Sequence, residues 1–135
     1  MSLFNVFNIA GSALAAETVR LNTTASNLAN ADTVSSSTEQ TYRARYPVFA
    51  RMVDAFGQEA DGVRVLGIVE SDAPLRKEYQ PEHPLANEAG YIFKPNVNVV
   101  EEMANMISAS RTYQTNVEVM NVTKQMLLRT LSLGQ

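Results

Sequence analysis

Residues 98–131 read NVVEEMANMISASRTYQTNVEVMNVTKQMLLRTL, and their period decides the fold class. Val99, Met103, Met106, Ser110, Tyr113, Val117, Met120, Lys124, Leu127 and Leu131 follow alternating steps of four and three. That spacing draws one stripe down an α-helix and predicts a coiled-coil-like seam. A second line, Val100, Ile107, Gln114, Asn121 and Leu128, widens the stripe for part of its length. Asn98 supplies an N-cap, and Glu101 three positions later completes a capping-box-like pattern. Pro95 cannot lie inside a helix, so the start is sharply set. From Val99 to Leu131 the helix would run ~50 Å at 1.5 Å per residue. A compact chain of this length is only roughly 28 Å across. The helix must project, or pack along another long helix.

The other end of the chain offers that helix. Phe7, Leu14, Leu21 and Leu28 recur every seven residues, with Gly11, Thr18 and Ala25 between them at plus four. The window holds no proline and is rich in helix formers, which predicts a helix over 3–30. Asn30 suits its end, because asparagine tolerates the left-handed conformation past a helix C-terminus. One thin stripe buries little by itself and needs a partner helix. Between the helices the period changes. Residues 33–41 form a Ser/Thr run that composition marks as a mobile polar loop. Strands are expected over 46–52, 63–70 and 75–79, with turns over 57–62 and 71–74. Pro81, Pro84 and Pro95 make the run to residue 95 read as ordered but irregular. The expected architecture is α+β. An N-terminal helix (1–32) and a long C-terminal helix (96–135) pair as a coiled-coil-like layer. A small β-rich middle region (33–95) lies between them.

The chain has 135 residues, with 11 basic against 14 acidic side chains, a net charge of −3 and a pI near 5.1. An acidic balance argues against general nucleic-acid binding. There is no cysteine, which excludes disulfides, thiolate metal ligands and cysteine nucleophiles. One histidine, His83, excludes a multi-histidine metal site. Mean hydropathy is −0.14 with 45% apolar residues, which is globular composition. No apolar run is long enough to cross a membrane as a helix. Ala13-Leu14-Ala15 mimics a signal-peptidase site, but no Lys or Arg opens the segment and polar residues interrupt it. A cleaved signal is therefore not expected.

Little in the chain points to catalysis. His83 sits among carboxylates and prolines in 79–84, where it suits a general base or one metal ligand. Catalysis needs a second positioned group, and a packed turn histidine is the plainer reading. Glu101 and Glu102 point apart on a helix and lie in its first turn, where they complement the helix dipole. There is no nucleophile-elbow motif and no glycine-rich phosphate loop. No cofactor is expected. The methionines Met103, Met106, Met120 and Met126 occupy or border the seam and suit packing. The asparagines are more informative. Asn22, Asn27, Asn30, Asn96, Asn98, Asn105, Asn116 and Asn121 lie on or beside the two helices, where polar amides near a seam cost stability but fix register and partner choice.

Two motifs then carry a resemblance. The segment 26–33, SNLANADT, closes the first helix and resembles the S-N-I-A-N-A-x-T signature of bacterial flagellar rod and hook proteins. More specifically, Tyr79-Gln80-Pro81-Glu82-His83-Pro84, Ala86, Gly90-Tyr91, Pro95-Asn96-Val97-Asn98, Glu101-Glu102-Met103, Ala109-Ser110-Arg111, Tyr113-Gln114 and Asn116 resemble the proximal rod members of that family. Residues 34–62 match least, since Tyr42-Arg43 follows Thr41 and not the usual Gly-Pro. The resemblance implies a building block of the flagellar drive shaft. Such a subunit leaves the cytoplasm uncleaved through the flagellar type III exporter. It assembles in the periplasm with proximal and distal rod proteins, a basal-body adaptor protein and copies of itself. It is not membrane-embedded, and its terminal helices form the inner layer of the tube.

The residues expected to carry assembly are Phe7, Leu14, Leu21, Leu28, Met103, Met106, Tyr113, Val117, Met120 and Leu127. Asn27, Asn30 and Asn116 are expected to set helix ends and lateral register. Two other readings compete. One is a cytoplasmic type III secretion chaperone that holds a partner through the same helices. The other is a small hydrolase centred on His83. His83→Ala separates the enzyme from the subunit: a structural subunit retains most motility in a complementation assay, whereas a hydrolase loses its activity.

Overall fold

The structure, a computed structural model, describes residues 3–53 and 59–134. Two long helices frame two antiparallel hairpins, in an α+β arrangement. Helix α1 spans Leu3–Asn30 and helix α2 spans Val99–Leu133. The first hairpin joins β1 (Arg45–Val53) to β2 (Glu59–Glu70), and the second joins β3 (Arg76–Tyr79) to β4 (Tyr91–Lys94).

Local chemistry explains the ends of α2. The Asn98 side chain accepts from the backbone N–H groups of Val100 and Glu101, as an N-cap should. Gly134 closes the other end, its N–H reaching Leu131 O at 3.3 Å. Helix α1 does end at Asn30, but no described non-glycine residue has positive φ. Asn30 instead turns its amide back onto Ser26 O at 2.8 Å, and Arg76 Nη2 reaches the next carbonyl, Ala31 O, at 3.4 Å.

Helix α1 is the middle layer: it packs against α2 on one side and against β1 and β2 on another. The first hairpin runs back along α1 and approaches it very closely at its far end. Gly62 lies at φ +132, and a Cβ there would stand 2.8 Å from Met52 Sδ and 2.9 Å from Ser12 Oγ. Beside it, Val63 N–H donates to Ser12 Oγ at 3.1 Å, and Asn5 Nδ2 donates to Asp61 Oδ2 at 3.2 Å. Only a residue without a side chain lets the strand sit this near the helix. Residues 57–62, expected as a turn, are thus in strand β2 from Glu59 onward, while 57 and 58 lie outside the described residues.

The middle region holds two further corrections. β4 was expected as irregular chain before Pro95, yet Tyr91–Lys94 pairs in register with Arg76–Tyr79. Four residues are too few to give a period, and the adjacent proline masks them. The Ser/Thr run is tied down where composition predicts mobility. Ser35 pairs with Phe93 through both backbone bonds, and its hydroxyl lies 2.6 Å from that of buried Thr41. The hydroxyls bond one another and Ser37 O, so the polar run closes on itself.

The helix pair meets through small residues. The buried positions of α1 are Ala10, Ala16, Thr23, Thr24 and Asn27; those of α2 are Glu102, Ala109 and Thr123. Thr23 and Thr123 donate their hydroxyls to backbone carbonyls one turn earlier, so neither needs a partner across the contact. This corrects the seam expected on α2. Its shared positions Met106, Met120 and Leu127 are half-buried, but its alternate positions Met103, Ser110, Val117 and Lys124 give way to Glu102, Ala109, Asn116 and Thr123. Choosing the largest apolar residue at each step rotates the stripe away from the true contact, because close helix approach favours small side chains.

Burial is therefore concentrated at one end. Ala31, Ala44 and Val97 cluster with Tyr42, and Ile92 and Pro95 are fully buried nearby in the chain. Beyond Ala109, only Thr123 is buried on α2. Amide hydrogen exchange is expected to be slowest over 23–31 and 92–102 and fastest in the last turns of α2. Uniform protection along α2 would contradict this distribution.

Candidate functional site

Among the described residues no arrangement resembles a catalytic centre. Among the described residues no three His, Cys, Asp or Glu side chains could hold a metal ion, and no helix is long and apolar enough to cross a membrane. His83 is half-buried, and its Nδ1 accepts from Leu85 N–H at 3.1 Å, which makes it a turn organiser. An open groove of about 700 Å³ lies by the Ser/Thr run between Asn30, Thr41 and Arg45, and is lined mainly by polar side chains.

Two structural features stand out instead: a polar junction and an outer helix face. At the junction Asn27 is 0% exposed. Its Nδ2 donates to Arg45 O at 2.9 Å and to Glu102 Oε2 at 3.0 Å. Its Oδ1 accepts from Arg45 N–H at 2.9 Å and from Tyr42 Oη at 2.9 Å. Both donors and both acceptor sites of one amide are used. Toward β1 the side chain mimics a strand neighbour, taking both backbone bonds of Arg45. Asn96 holds the preceding residue by its N–H alone: its Oδ1 accepts from Ala44 N–H at 2.8 Å, and its Nδ2 donates to Ser71 O and Ala73 O. The two sequence motifs thus hold the N–H groups of consecutive residues, Ala44 and Arg45.

Glu102 completes the junction and is the residue that sequence reasoning misplaced. It is 1% exposed and accepts from Asn27 and Tyr46, with Asn105 Nδ2 at 3.5 Å. Its neighbour Glu101 is exposed and fits the dipole role expected of both. Burial, followed by the charge and hydrogen bond of Glu102, raises the Tyr46 phenol above its ordinary pKa. The useful signal was phase: Glu102, Ala109, Asn116 and Thr123 repeat every seven residues, as the apolar stripe does.

The residues expected at an assembly interface divide by location. Phe7, Leu14, Leu21 and Leu28 are half-buried along α1. Met106, Met120, Leu127 and Asn116 are half-buried on α2, and Asn116 bonds only its own helix, at Thr112 O. Met103, Tyr113 and Val117 face outward with Val99, Val100, Ile107 and Leu128. Met103 is 53% exposed and Ile107 56%. Asn27 lies inside the chain with its bonding capacity consumed there, and Asn30 bonds its own helix. The first hairpin adds exposed Val48, Phe49, Leu66, Ile68 and Val69, on a two-stranded sheet that is weak alone.

Known proteins are similar to this chain along its whole length. The family model described as "Flagella basal body rod protein" matches residues 7–34, and "Flagellar basal body rod FlgEFG protein C-terminal" matches 88–133. The chain is 55% identical to the flagellar basal-body rod protein FlgC of Salmonella typhimurium, with each chain covered completely. It is 53% identical to that of Escherichia coli O157:H7 and 42% identical to that of Buchnera aphidicola from Schizaphis graminum, again over both full lengths.

The junction yields a pH-dependent prediction. Asn27→Asp sets a second carboxylate about 3 Å from Glu102 in a buried site, and a carboxylate oxygen against Arg45 O. One carboxyl must keep its proton, so the folded-state pKa of the pair is raised. The destabilisation is then greatest at neutral pH, about 3–5 kcal/mol, and shrinks as pH falls toward ~4. Urea unfolding at several pH values measures it; a penalty independent of pH would refute the geometry.

Proposed function

The chain belongs to the FlgC family of flagellar basal-body rod proteins and is a structural subunit of that rod, and from this premise we propose how it does its work. The proximal rod is its place. It leaves the cytoplasm uncleaved through the flagellar type III exporter and assembles in the periplasm. Its neighbours are copies of itself, other proximal and distal rod proteins and the basal-body adaptor protein. The relatives' names give no support to a secretion chaperone.

One observation carries the mechanism. Much of the large apolar surface of α2, at Val100, Met103, Ile107 and Leu128, lies on its outside, while its buried inner positions are Glu102, Ala109 and Thr123, flanked by half-buried Met106, Met120 and Leu127. A monomer rarely leaves such a line uncovered, and association is the ordinary reason for it. Docking buries Met103, Ile107, Tyr113 and Val117 against neighbouring subunits, and Leu14 and Leu21 complete the layer from α1. Back-bonded hydroxyls on both helices (Thr18, Thr112 and Thr130 among them) ease that burial, since their donors are already satisfied. A chain without disulfides, and with burial concentrated at one end, also unfolds readily for transport.

Met103→Asp and Ile107→Asp are expected to abolish rod formation, as are Tyr113→Ala and Leu21→Asp, while export continues. Electron microscopy of purified basal bodies with immunoblots of exported protein measures both. Full rods from the Asp variants would defeat the proposal. Mass spectrometry of wild-type basal bodies should find the chain with Met1 or Ser2 at its N-terminus.

A further inference from the structure

Residues 80–90 link β3 to β4, and they are far better organised than an ordinary surface loop. His83 N–H bonds Gln80 O, Ala86 N–H bonds His83 O, and Gly90 N–H bonds Asn87 O. Asn87 Oδ1 accepts from Ala89 and Tyr91. Gly90 adopts φ +79, and a Cβ there would meet the Tyr79 ring at 2.8 Å. Pro81 and Pro84 stiffen the rest. This frame holds Leu85 out, 47% exposed, between two acids, Glu82 and Glu88. A rigid loop presenting a leucine loses little entropy on docking, which is the property of a binding epitope.

The complementary surface is on the same chain. Beyond Met103, the charges of α2 are Arg111, Glu118, Lys124 and Arg129. Arg111 borders the outer apolar line at Ile107 and Gln114, and Lys124 borders it at Asn121 and Leu128, by helical spacing. None of these bases, nor Glu82 or Glu88, makes an ion pair or side-chain hydrogen bond among the described residues. An acidic loop with an apolar tip therefore faces no partner, and neither does an outer line with apolar Ile107 and Leu128 beside Arg111 and Lys124, polar Gln114 and Asn121 between them and Glu118 as the one acid on its border. Neither β3 nor β4 packs on α2 within one chain.

We infer that the 80–90 loop of one copy seats Leu85 on the outer face of α2 of a second copy, with Glu82 and Glu88 meeting Arg111 and Lys124. The contact joins two different surfaces, so it is heterologous and propagates to an open chain of subunits rather than closing as a dimer. It rests on the rod-subunit reading and names one contact within it.

Sedimentation velocity of the full-length chain at low salt tests the contact. The wild type is expected to form a concentration-dependent series that salt dissolves. Glu82→Arg with Glu88→Arg should weaken association about tenfold. Adding Arg111→Glu and Lys124→Glu to the same chain should restore it. Leu85→Ser and Ile107→Asp should each be monomeric, yet their mixture should stop at a one-to-one pair, because each retains one good surface. A wild type that stays monomeric to its solubility limit overturns the inference, as does a charge reversal that is not rescued. If Ile107→Asp abolishes association and Leu85→Ser leaves it intact, the loop contact falls and the outer-face reading stands. If neither changes it, both fall.

Discussion

Everything in this fold hangs from one side-chain amide. Asn27 is held on all four of its hydrogen-bonding sites, and its partners come from two separate parts of the chain, residues 42–45 and Glu102. It joins the end of α1 to the start of β1 and to the first turn of α2. A buried amide this fully bonded is directional in a way that apolar contacts are not. Without it, helices touching mainly through alanine and threonine have little to hold them in one arrangement. With it, the small-residue contact becomes sufficient, and large apolar residues such as Met103 and Ile107 are released to the outside.

That division organises the molecule. One end is a compact junction where Ala31, Ala44, Val97 and Pro95 pack around the polar centre. The other end is a long helix pair with little buried between its members. Helix α1 lies between α2 and the first hairpin and is covered on two sides. Helix α2 is covered on one. The uncovered surface is thus continuous along the longest element, ~52 Å over its 35 residues. A subunit that must lie alongside copies and relatives in a shaft is well served by such a rail.

Much of this was legible in the sequence. The seven-residue period gave both helices to within a few residues, because over thirty-odd positions a period is hard to mistake. The strands beginning near Tyr46 and Val63 followed from β-branched runs. What failed was phase and polarity. The α2 stripe was turned toward its larger residues, since hydrophobicity alone does not say which side of a helix another helix takes and which side a neighbour takes. Glu102 reads with Glu101 as a complement to the helix dipole, and its burial depends on partners far along the chain, Asn27, 75 residues away, and Tyr46. β4 escaped because four residues beside a proline carry no period. The assembly surface was legible as a set of residues but not as a direction, and direction requires the three-dimensional contact.

Asn96 has a quieter consequence. Its three partners are all peptide groups, at Ala44, Ser71 and Ala73. Nearly every amino acid presents the same carbonyl, and every one but proline the same N–H. No replacement at 44, 71 or 73 can therefore be tailored to accept a different residue at 96. Lesions at this position should have no second-site suppressors among the residues they touch. Its sequence history should be written as constancy, without the paired changes that mark a contact between two side chains.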